Sequence, residues 1–333
     1  MPETIMSWNI EWFDRLFDDH NEPILDDPEK KKRNDAIAEV LGHIDPALVG
    51  VVEGPASTIA NPTGTVDCLR NFAAHYGLNL TEALLGYRSK GVQEIAVWFD
   101  PNRATAVWNP GGTQGSTVDP PFDGEFRIDT DEDRADEIHS FYRPPLEADV
   151  TVGGQSFKLI VCHNKSKGIQ NAGDLLNWDR ENRTNRRMLF GQSTWIRRRV
   201  DQCLQGGHQV VVMGDINDGA GMDWYEFEHA KSSVELIMGD LFEPDGLLRH
   251  QLGRPRWVRS KGEWRPASTS FRDLITGDYV RVLIDFILTL NGIALEAGSH
   301  AVWNPWQFPS LTGPISQALK DSSDHHPVTI RLD

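Results

Sequence analysis

Two short polar side chains follow a buried strand in the second half of the chain, and their types and spacing could serve chemistry. The run Val210–Met213 is apolar throughout and stops at Gly214, after which come Asp215 and Asn217. Residues two apart at the end of a strand project to the same side. A carboxylate and a carboxamide would therefore meet at the rim of a sheet, where loops carry function. A strand followed by an Asx turn explains the same residues.

The same feature recurs along the chain. Polar residues that could bind a metal or move protons end or interrupt six otherwise apolar strands. They are Asn9 and Glu11, Glu53, His163, Asp215 and Asn217, Asp285, and Asp324 with His325. A charge in a buried strand is costly unless it is paired or bound to a metal. One case would mean little, but six predict that the strand ends converge on a single site at one edge of the sheets.

Buried strands alternate with amphipathic helices, and these elements would position the polar residues. The predicted strands are Thr4–Ile10, Leu48–Val52, Val92–Phe99, Leu146–Val152, Phe157–Cys162, Val210–Met213, Val282–Leu290 and Val328–Leu332. The predicted helices are one that begins at Asp27-Pro28 and can end at Gly42, then Val66–Tyr76 and Asn182–Cys203. Such alternation is typical of α/β layers. Because no linker divides the chain, we expect a single domain over residues 1–333.

An acidic loop insertion near residues 111–140 interrupts this pattern. Within it, Asp129–Asp133 alternates carboxylates in the manner of a calcium-binding loop. Such a loop has Gly at its sixth position and Glu at its twelfth, and this sequence has neither. We therefore interpret the segment as a solvated loop.

The charge of the chain bears on its partners. The 333 residues carry a formal net charge of −16, which opposes simple non-specific binding to nucleic acid through phosphate contacts. The charge is uneven, since Asp119–Glu137 is acidic whereas Arg180–Arg199 holds seven arginines. A bound divalent cation would offset carboxylates locally, so a nucleic-acid substrate stays open.

Cysteines, hydropathy and the first residues bear on the compartment. The three cysteines lie far apart and form neither a disulfide framework nor a zinc-binding spacing. No apolar run reaches the length of a membrane helix. The residues from Met1 onward show no basic region followed by an apolar stretch, so no signal peptide is visible. We expect a cytoplasmic protein, unless a leader was removed.

Six short segments carry a family resemblance. In chain order they read Ser7-Trp8-Asn9-Ile10, Val51-Val52-Glu53, Cys162-His163-Asn164-Lys165-Ser166, Gly214-Asp215-Ile216-Asn217-Asp218, Leu283-Ile284-Asp285-Phe286-Ile287 and Ser323-Asp324-His325-His326-Pro327-Val328. With them the chain resembles the endonuclease/exonuclease/phosphatase superfamily, which has the deoxyribonuclease I-like fold. The resemblance spans residues 7–328. It implies an α/β (α+β) four-layer sandwich, in which two packed, mainly antiparallel β-sheets are flanked by helices.

Two details depart from the superfamily pattern. Ile216 stands where an aromatic residue or Leu is common, and His163-Asn164-Lys165 stands where His-Leu is more usual. The acidic insertion is also not part of the common core.

The resemblance further implies a phosphodiester hydrolase that depends on Mg²⁺, with Mn²⁺ as a substitute. Glu53 and Asn9 would hold the metal, because oxygen ligands suit a hard cation. His325 would act as general base, with Asp285 orienting its ring. The remaining catalytic roles, on the nucleophile, the phosphoryl oxygens or the metal's water shell, fall to His163, Asp215, Asn217 and Asp324. Either histidine could instead be an ordinary strand-end residue, and Glu11 either supports the metal ligands or is a solvated loop residue.

The leading hypothesis is a nuclease that cleaves DNA or RNA by in-line attack of a water activated by histidine. Asn164, Lys165 and Lys167 would bind the substrate. The arginine-rich helix could follow a nucleic-acid backbone or form a solvated face. The tryptophans that could stack on bases, or else pack in the core, are Trp178, Trp224, Trp257 and Trp264.

Two other hypotheses remain open. The same chemistry could act on a small or lipid phosphoester of the sphingomyelin or inositol phosphate type. A non-catalytic binding module on the same fold is a third reading, since fold does not determine function. No stable protein partner can be inferred from the sequence, and we expect a monomer.

Overall fold

The computed structural model describes residues 2–130, 134–169, 174–219, 231–250, 266–272, 277–308 and 310–333. The acidic triplet Asp131–Asp133 and the predicted stacking residues Trp224, Trp257 and Trp264 lie outside the described residues. Among the helices of the described ranges, none is both long enough and apolar enough to span a bilayer.

The elements follow the predicted alternation. The strands are β1 (Glu3–Asn9), β2 (Leu48–Gly54), β3 (Glu82–Leu85), β4 (Glu94–Phe99), β5 (Ala104–Trp108), β6 (Phe126–Ile128), β7 (Glu137–His139), β8 (Leu146–Val152), β9 (Gln155–His163), β10 (Val210–Asp215), β11 (Leu248–His250), β12 (Thr269–Arg272), β13 (Tyr279–Val282), β14 (Asp285–Leu290), β15 (Ala301–Val302) and β16 (Val328–Leu332). The α-helices are α1 (Pro28–Ile44), α2 (Gly64–Tyr76), α3 (Leu175–Gln205), α4 (Ser233–Met238) and α5 (Pro314–Ser322). Short 3-10 helices cover Phe13–Leu16 and Pro244–Gly246.

Two large mixed sheets form the centre. The first has the strand order β15-β16-β1-β2-β4-β3, and the second has the order β11-β14-β10-β9-β8-β5. In each sheet one central pair is parallel, namely β1 with β2 and β9 with β10, and the other pairs are antiparallel. The parallel pairs matter for function because both strands of a parallel pair end at the same edge.

The two sheets pack face to face. Val52 and Val97 of the first sheet share a fully buried core with Val161, Met213 and Ile287 of the second. The outer face of the first sheet packs on α1, α2 and α5, and the outer face of the second packs on α3 and α4. The four-layer sandwich expected from the resemblance is therefore confirmed.

The acidic insertion is attached to α3. Its strands β6 and β7 form a hairpin, and Phe126 stacks on Trp195 with ring centroids 5.3 Å apart. Arg199, 2% exposed, donates to both carboxylate oxygens of Glu147 at 2.6 and 2.7 Å and to the carbonyl of Pro120 at 2.9 Å. The insertion thus contains regular structure as well as loop, and Arg199, which is paired with Glu147 of β8, holds it through the carbonyl of Pro120.

Several predicted boundaries were wrong, and the largest difference is that α3 begins at Leu175 instead of Asn182. Helix α1 does not end at Gly42; it continues to Ile44, because Asp45 takes the left-handed conformation (φ 48°) and its N–H donates to the carbonyl of Leu41. Asp285 begins β14 and does not lie inside one long strand. The hydroxyl of Ser268 accepts from the N–H groups of both Ile284 and Asp285 at 3.1 Å, so the ladder breaks between β13 and β14 there.

Candidate active site

The predicted site residues come from both sheets and meet at one rim. In the second sheet, Asp215 at the end of β10 lies directly opposite His163 of β9 and Asp285 of β14. In the first sheet, β1 ends at Asn9 and the parallel strand β2 carries Glu53 near its end. Chain polarity explains the convergence, because β14 runs antiparallel to β10 and so begins where β10 ends.

Hydrogen bonds tie the two sheets together at this rim. The side-chain amide of Asn9 donates to Asp215 Oδ2 at 3.1 Å. The Trp8 indole donates to the carbonyl of His325 at 3.0 Å, and the Ser323 hydroxyl donates to the carbonyl of Asn9 at 2.8 Å. These bonds fix the segment before β16 against β1, and His325 is thereby held over the second sheet.

His325 and Asp285 form a close pair. His325 Nδ1 lies 2.8 Å from Asp285 Oδ2, and their side chains are 12% and 2% exposed. Burial lowers the pKa of His325, but the charge and hydrogen bond of Asp285, with the charges of Asp215 and Asp324, outweigh it and raise that pKa. A proton on Nδ1 facing the carboxylate leaves Nε2 as the nitrogen that can exchange a proton with a reactant.

Asp215 is buried between other charged groups. Burial and the neighbouring charge of Asp285 raise the pKa of the Asp215 carboxyl. Its Oδ1 accepts from the N–H of Asn217 at 2.8 Å, and the Asn217 amide donates to the carbonyl of Asn164 at 3.0 Å. Asn217 is left-handed (φ 57°). The Asx turn and the polar rim, which the sequence left as alternatives, are therefore both present.

His163 lies between Asp215 of the second sheet and Glu53 of the first. Its Nε2 is 3.6 Å from Asp215 Oδ2 and 4.0 Å from Glu53 Oε1. Burial lowers the pKa of His163 well below its usual value, and the charges of Arg143 and His325 add to the effect. Since both neighbours of Nε2 are acceptors, the neutral ring carries its proton there and can donate it to an oxygen.

Glu53 is held on one oxygen and open on the other. Its Oε2 accepts from the N–H of Trp12 at 3.0 Å and from the amide of Gln93, whereas Oε1 faces His163. Glu53 itself is left-handed, with φ 58°, a conformation that costs a non-glycine residue about 1–3 kcal/mol and is found at functional sites.

The donor atoms suit a hard divalent cation. Glu53 Oε1 offers a single carboxylate oxygen, and Asn9 Oδ1 accepts only one described bond, from the N–H of Glu11 at 3.1 Å. Mg²⁺ prefers such oxygen ligands, with water and substrate completing the set. Asp215, Asp285 and His325 form a second grouping whose ligand atoms lie within 4.8 Å of one another, and Asp285 Oδ1 is buried there with no hydrogen-bond partner among the described residues.

The other predicted residues lie around this centre. Glu11 Oε2 is 3.8 Å from Arg33, and Asp324 is exposed beside His325. Each predicted substrate-binding residue contributes a polar group to an internal contact: the Asn164 amide donates to Ser193 at 3.2 Å, the Lys165 N–H donates to Gln192 at 2.7 Å, and the Lys167 ammonium pairs with buried Asp218.

Two arginines of α3 are anchored by internal partners, whereas Arg180, Arg183 and Arg198 are exposed. Arg197 donates to the carbonyls of Met238 and Gly246 at 2.9 Å, and Arg199 holds the insertion. Arg183 pairs with Asp179 one turn away at 3.1 Å. The exposed arginines agree with the solvated face that the sequence left open, whereas the internal contacts of Arg197 and Arg199 were not predicted.

Residues that the sequence did not single out also build the site. Gln93, 1% exposed, bridges Glu53 and Arg143. Trp12 holds Glu53 through its backbone, while its ring is 36% exposed with the Arg15 guanidinium 3.7 Å above it. Ser268 caps the start of β14. No spacing in the sequence links Gln93 to a partner forty residues earlier, so only the fold reveals it.

Similar solved structures decide the fold. An endonuclease/exonuclease/phosphatase from Bacteroides vulgatus matches with a TM-score of 0.51 and 14% identity over 100% of this chain and 99% of that one. The chain has the endonuclease/exonuclease/phosphatase fold. A functionally unknown conserved protein from Enterococcus faecalis V583 also shares it, with a TM-score of 0.50 and 13% identity over 99% of each chain. The predicted resemblance is confirmed at the level of the fold.

A further solved structure lies just below these values. D. rerio TDP2 complexed with a single-strand DNA product has a TM-score of 0.47 and 13% identity over 100% of this chain and 99% of that one. No family model and no curated protein matches the sequence. The matches at a TM-score of 0.50 or above show the endonuclease/exonuclease/phosphatase fold and no more than the fold.

Proposed function

We propose that this protein is a metal-dependent phosphodiester hydrolase, and that nucleic acid is its substrate. The observation that carries the proposal is the His325–Asp285 pair at 2.8 Å, placed at the same rim as Asp215, His163 and the open oxygen of Glu53. Hydrolysis of a phosphodiester requires a base for the attacking water, donors for the phosphoryl oxygens and a neutralising cation. This rim offers a residue type for each need.

Each residue has a proposed task in the reaction. His325 accepts the proton of the attacking water through Nε2, and Asp285 stabilises the imidazolium that forms. Asp215 and Asn217 hold the water and a phosphoryl oxygen, and the neutral His163 donates a hydrogen bond from Nε2 to a phosphoryl oxygen or to the leaving oxygen. As the water oxygen bonds to phosphorus, the bond from phosphorus to the leaving oxygen breaks, and that oxygen takes a proton from solvent. Glu53 and Asn9 would hold Mg²⁺, or Mn²⁺ in its place, and the bound ion would supply positive charge next to the phosphoryl group. Asp324, which is exposed at the rim, would orient the water around that ion.

An exposed aromatic residue supports nucleic acid as the substrate. Trp12 donates its backbone N–H to Glu53, so the residue that holds the proposed metal ligand also carries a partly exposed aromatic ring. The guanidinium stacked above it belongs to Arg15, which is exposed. Aromatic rings and guanidinium planes both stack on bases. A nucleobase next to the scissile phosphate could stack on this surface.

A small phosphoester is the second candidate, and the contacts of α3 favour it. Arg197 and Arg199 are engaged in internal contacts, and Lys167 pairs with Asp218. These three cations are therefore engaged within the protein, and the formal net charge of −16 opposes binding of a polyanion.

An activity panel with Mg²⁺ and with EDTA separates the candidates. It compares plasmid, single-stranded DNA, RNA, bis-p-nitrophenyl phosphate, sphingomyelin and inositol phosphates. A polynucleotide substrate should bind with an affinity that falls steeply with salt, by a slope of roughly −0.7 to −0.9 per phosphate neutralised, whereas a small phosphoester should show a shallow slope. Absence of EDTA-sensitive hydrolysis on every substrate would refute the proposal.

A further inference from the structure

A buried glutamine holds the proposed metal ligand. Gln93 lies just before β4, is 1% exposed, and donates its Nε2 to Glu53 Oε2. Its Oε1 accepts from the guanidinium of Arg143. We infer that Gln93 is a positioning residue that presents Glu53 to the metal, and that Arg143 acts through Gln93 by fixing its amide. This inference rests on the proposed function, because it concerns the metal-binding role of Glu53.

The hydrogen bonds from Arg143 to Gln93 and from Gln93 to Glu53 form a relay, and donor and acceptor chemistry fixes its direction. A guanidinium has only donors, and an ionised carboxylate has only acceptors. Gln93 lies between one of each, so its carbonyl oxygen must face Arg143 and its NH₂ group must face Glu53. A flipped amide would set two donors together on one side and two acceptors together on the other. Arg143 therefore determines which end of Gln93 reaches the carboxylate.

The relay determines which oxygen of Glu53 is available. Oε2 receives two donors, the N–H of Trp12 at 3.0 Å and the amide of Gln93. Within the described part of the chain, Oε1 has only His163 Nε2 nearby, at 4.0 Å. A carboxylate held in this way presents one oxygen in one direction, which suits a single-oxygen metal contact. Partners behind a ligand that orient it usually change metal affinity by about 10- to 100-fold.

Metal affinity tests the inference without relying on activity. Gln93→Met removes the donor at similar volume, and Mn²⁺ affinity, measured by calorimetry and electron paramagnetic resonance, should fall by about 10- to 100-fold. Gln93→Glu, which keeps a partner for Arg143 but offers Glu53 no donor, should also lose affinity. The matched control is Gln192→Met. Gln192 is also a buried glutamine, 3% exposed, but it bonds to the Lys165 N–H and the Ser140 carbonyl and not to Glu53. The Mn²⁺ affinity of this variant should stay at the wild-type value.

A double variant tests the order of the relay. Arg143→Met should lower Mn²⁺ affinity by a smaller factor, and in the Gln93→Met background it should cause no further loss, because residues that act in series are not additive. Wild-type affinity in folded Gln93→Met and Gln93→Glu would overturn the inference. Equal losses from Arg143→Met in both backgrounds would overturn the part assigned to Arg143.

Failure of the relay and failure of the proposed function give different results. If the wild-type protein binds Mn²⁺ through Glu53 and hydrolyses no phosphoester, the proposed function fails while the relay stands. If Gln93→Met binds Mn²⁺ like the wild type and the wild type is active, the relay fails while the function stands. If Glu53→Gln does not alter Mn²⁺ binding, the relay has no metal ligand to position and is overturned.

Discussion

The two sheets contribute two different groups of side chains, here called the two halves of the site, to one rim. On the first sheet, Glu53 is partly exposed and is oriented by neutral donors, the Trp12 N–H and the Gln93 amide. On the second sheet, Asp215 and Asp285 are almost fully buried, and the pKa values of Asp215 and His325 are both raised. Neutral donors orient Glu53 through one carboxylate oxygen and leave the other oxygen for a cation. Crowded carboxylates around His325 instead make it bind a proton more tightly, so one half is suited to cation binding and the other to proton transfer.

Loss of the proposed general base should lower turnover more than any other change and should leave cation binding at Glu53 unaffected. His325→Ala is expected to lower turnover by at least about 10²-fold, the usual size of general-base catalysis, with Mg²⁺ affinity kept. Stopped-flow or steady-state assays at saturating Mg²⁺ measure this loss. His326→Ala, a change at the adjacent histidine, is the matched control and should keep turnover. Near wild-type turnover in His325→Ala would move the base to Asp215 or Asp324.

Asp285→Asn should be nearly as severe, because a carboxamide cannot stabilise the imidazolium. Residues that act as a unit give losses that do not multiply, so His325→Ala with Asp285→Asn should be little worse than either variant alone. The measurement is turnover of the double variant. A double loss equal to the product of the single losses would show that the two residues act separately.

Glu53→Gln should weaken cation binding on the first sheet. The neutral amide keeps the shape but removes the charge that a hard cation prefers, so the Mg²⁺ concentration for half-maximal activity should rise by about tenfold or more. Titration of activity with Mg²⁺ and Mn²⁺ checks this, after EDTA has abolished activity. Full activity of the variant at low Mg²⁺ would remove Glu53 from the metal site.

A change of pH should have a smaller effect than these substitutions, and it should act through His325 on the second sheet. His325 must lose a proton to act as base, and because Asp285 raises its pKa, activity should rise with pH at values above the roughly 6.5 of free imidazole. A pKa that is higher in the folded than in the unfolded chain stabilises the fold fully below pH ~6.5, and this stability is lost as the pH rises through the folded-state pKa. Urea unfolding of the wild type and Asp285→Asn across this range tests the sign: the free energy of unfolding of the variant should show a flatter decline.

The smallest effect is expected outside both halves. Trp12→Ala should raise KM for an oligonucleotide by about tenfold, since stacking on one base contributes about 1–3 kcal/mol, and should leave hydrolysis of a substrate without a base unchanged. Arg183→Gln on α3, where Arg183 pairs with Asp179, should leave the salt dependence of binding unchanged. A KM for oligonucleotide that is unaffected by Trp12→Ala would favour the small-phosphoester candidate.

The sequence predicted the rim because strands impose a simple geometry. Asp215 and His163 end neighbouring strands, so a polar residue at each strand end was enough to place them together. Their proposed roles stay predictions, but the fold that aligns them is confirmed. Asp285 was assigned to the right rim although the start of its strand was wrong, because the hydrogen bonds of Ser268 that split the strand come from a segment with no recognisable pattern.

The parts that the sequence could not supply depend on pairings between distant segments. Gln93 meets Glu53 and Arg143 only after β2, β4 and the segment before β8 come together. Arg199 belongs to a run for which the sequence left nucleic-acid binding and a solvated face open, yet its partner Glu147 lies on β8 and pairs with it inside the protein. Side-chain type and local spacing carry no information on such partners, so charge patterns on helices predicted less than polar strand ends did.

The pairing of β16 with β1 sets an order of events during synthesis. β1 is made first, but the segment that carries His325 reaches it only after more than three hundred further residues have been added. Until then, Trp8 and Asn9 lack the carbonyl of His325 and the hydroxyl of Ser323 that they bond in the folded protein. A nascent chain that has not yet been extended to residue 325 therefore has neither the proposed base nor strand β16, which positions it.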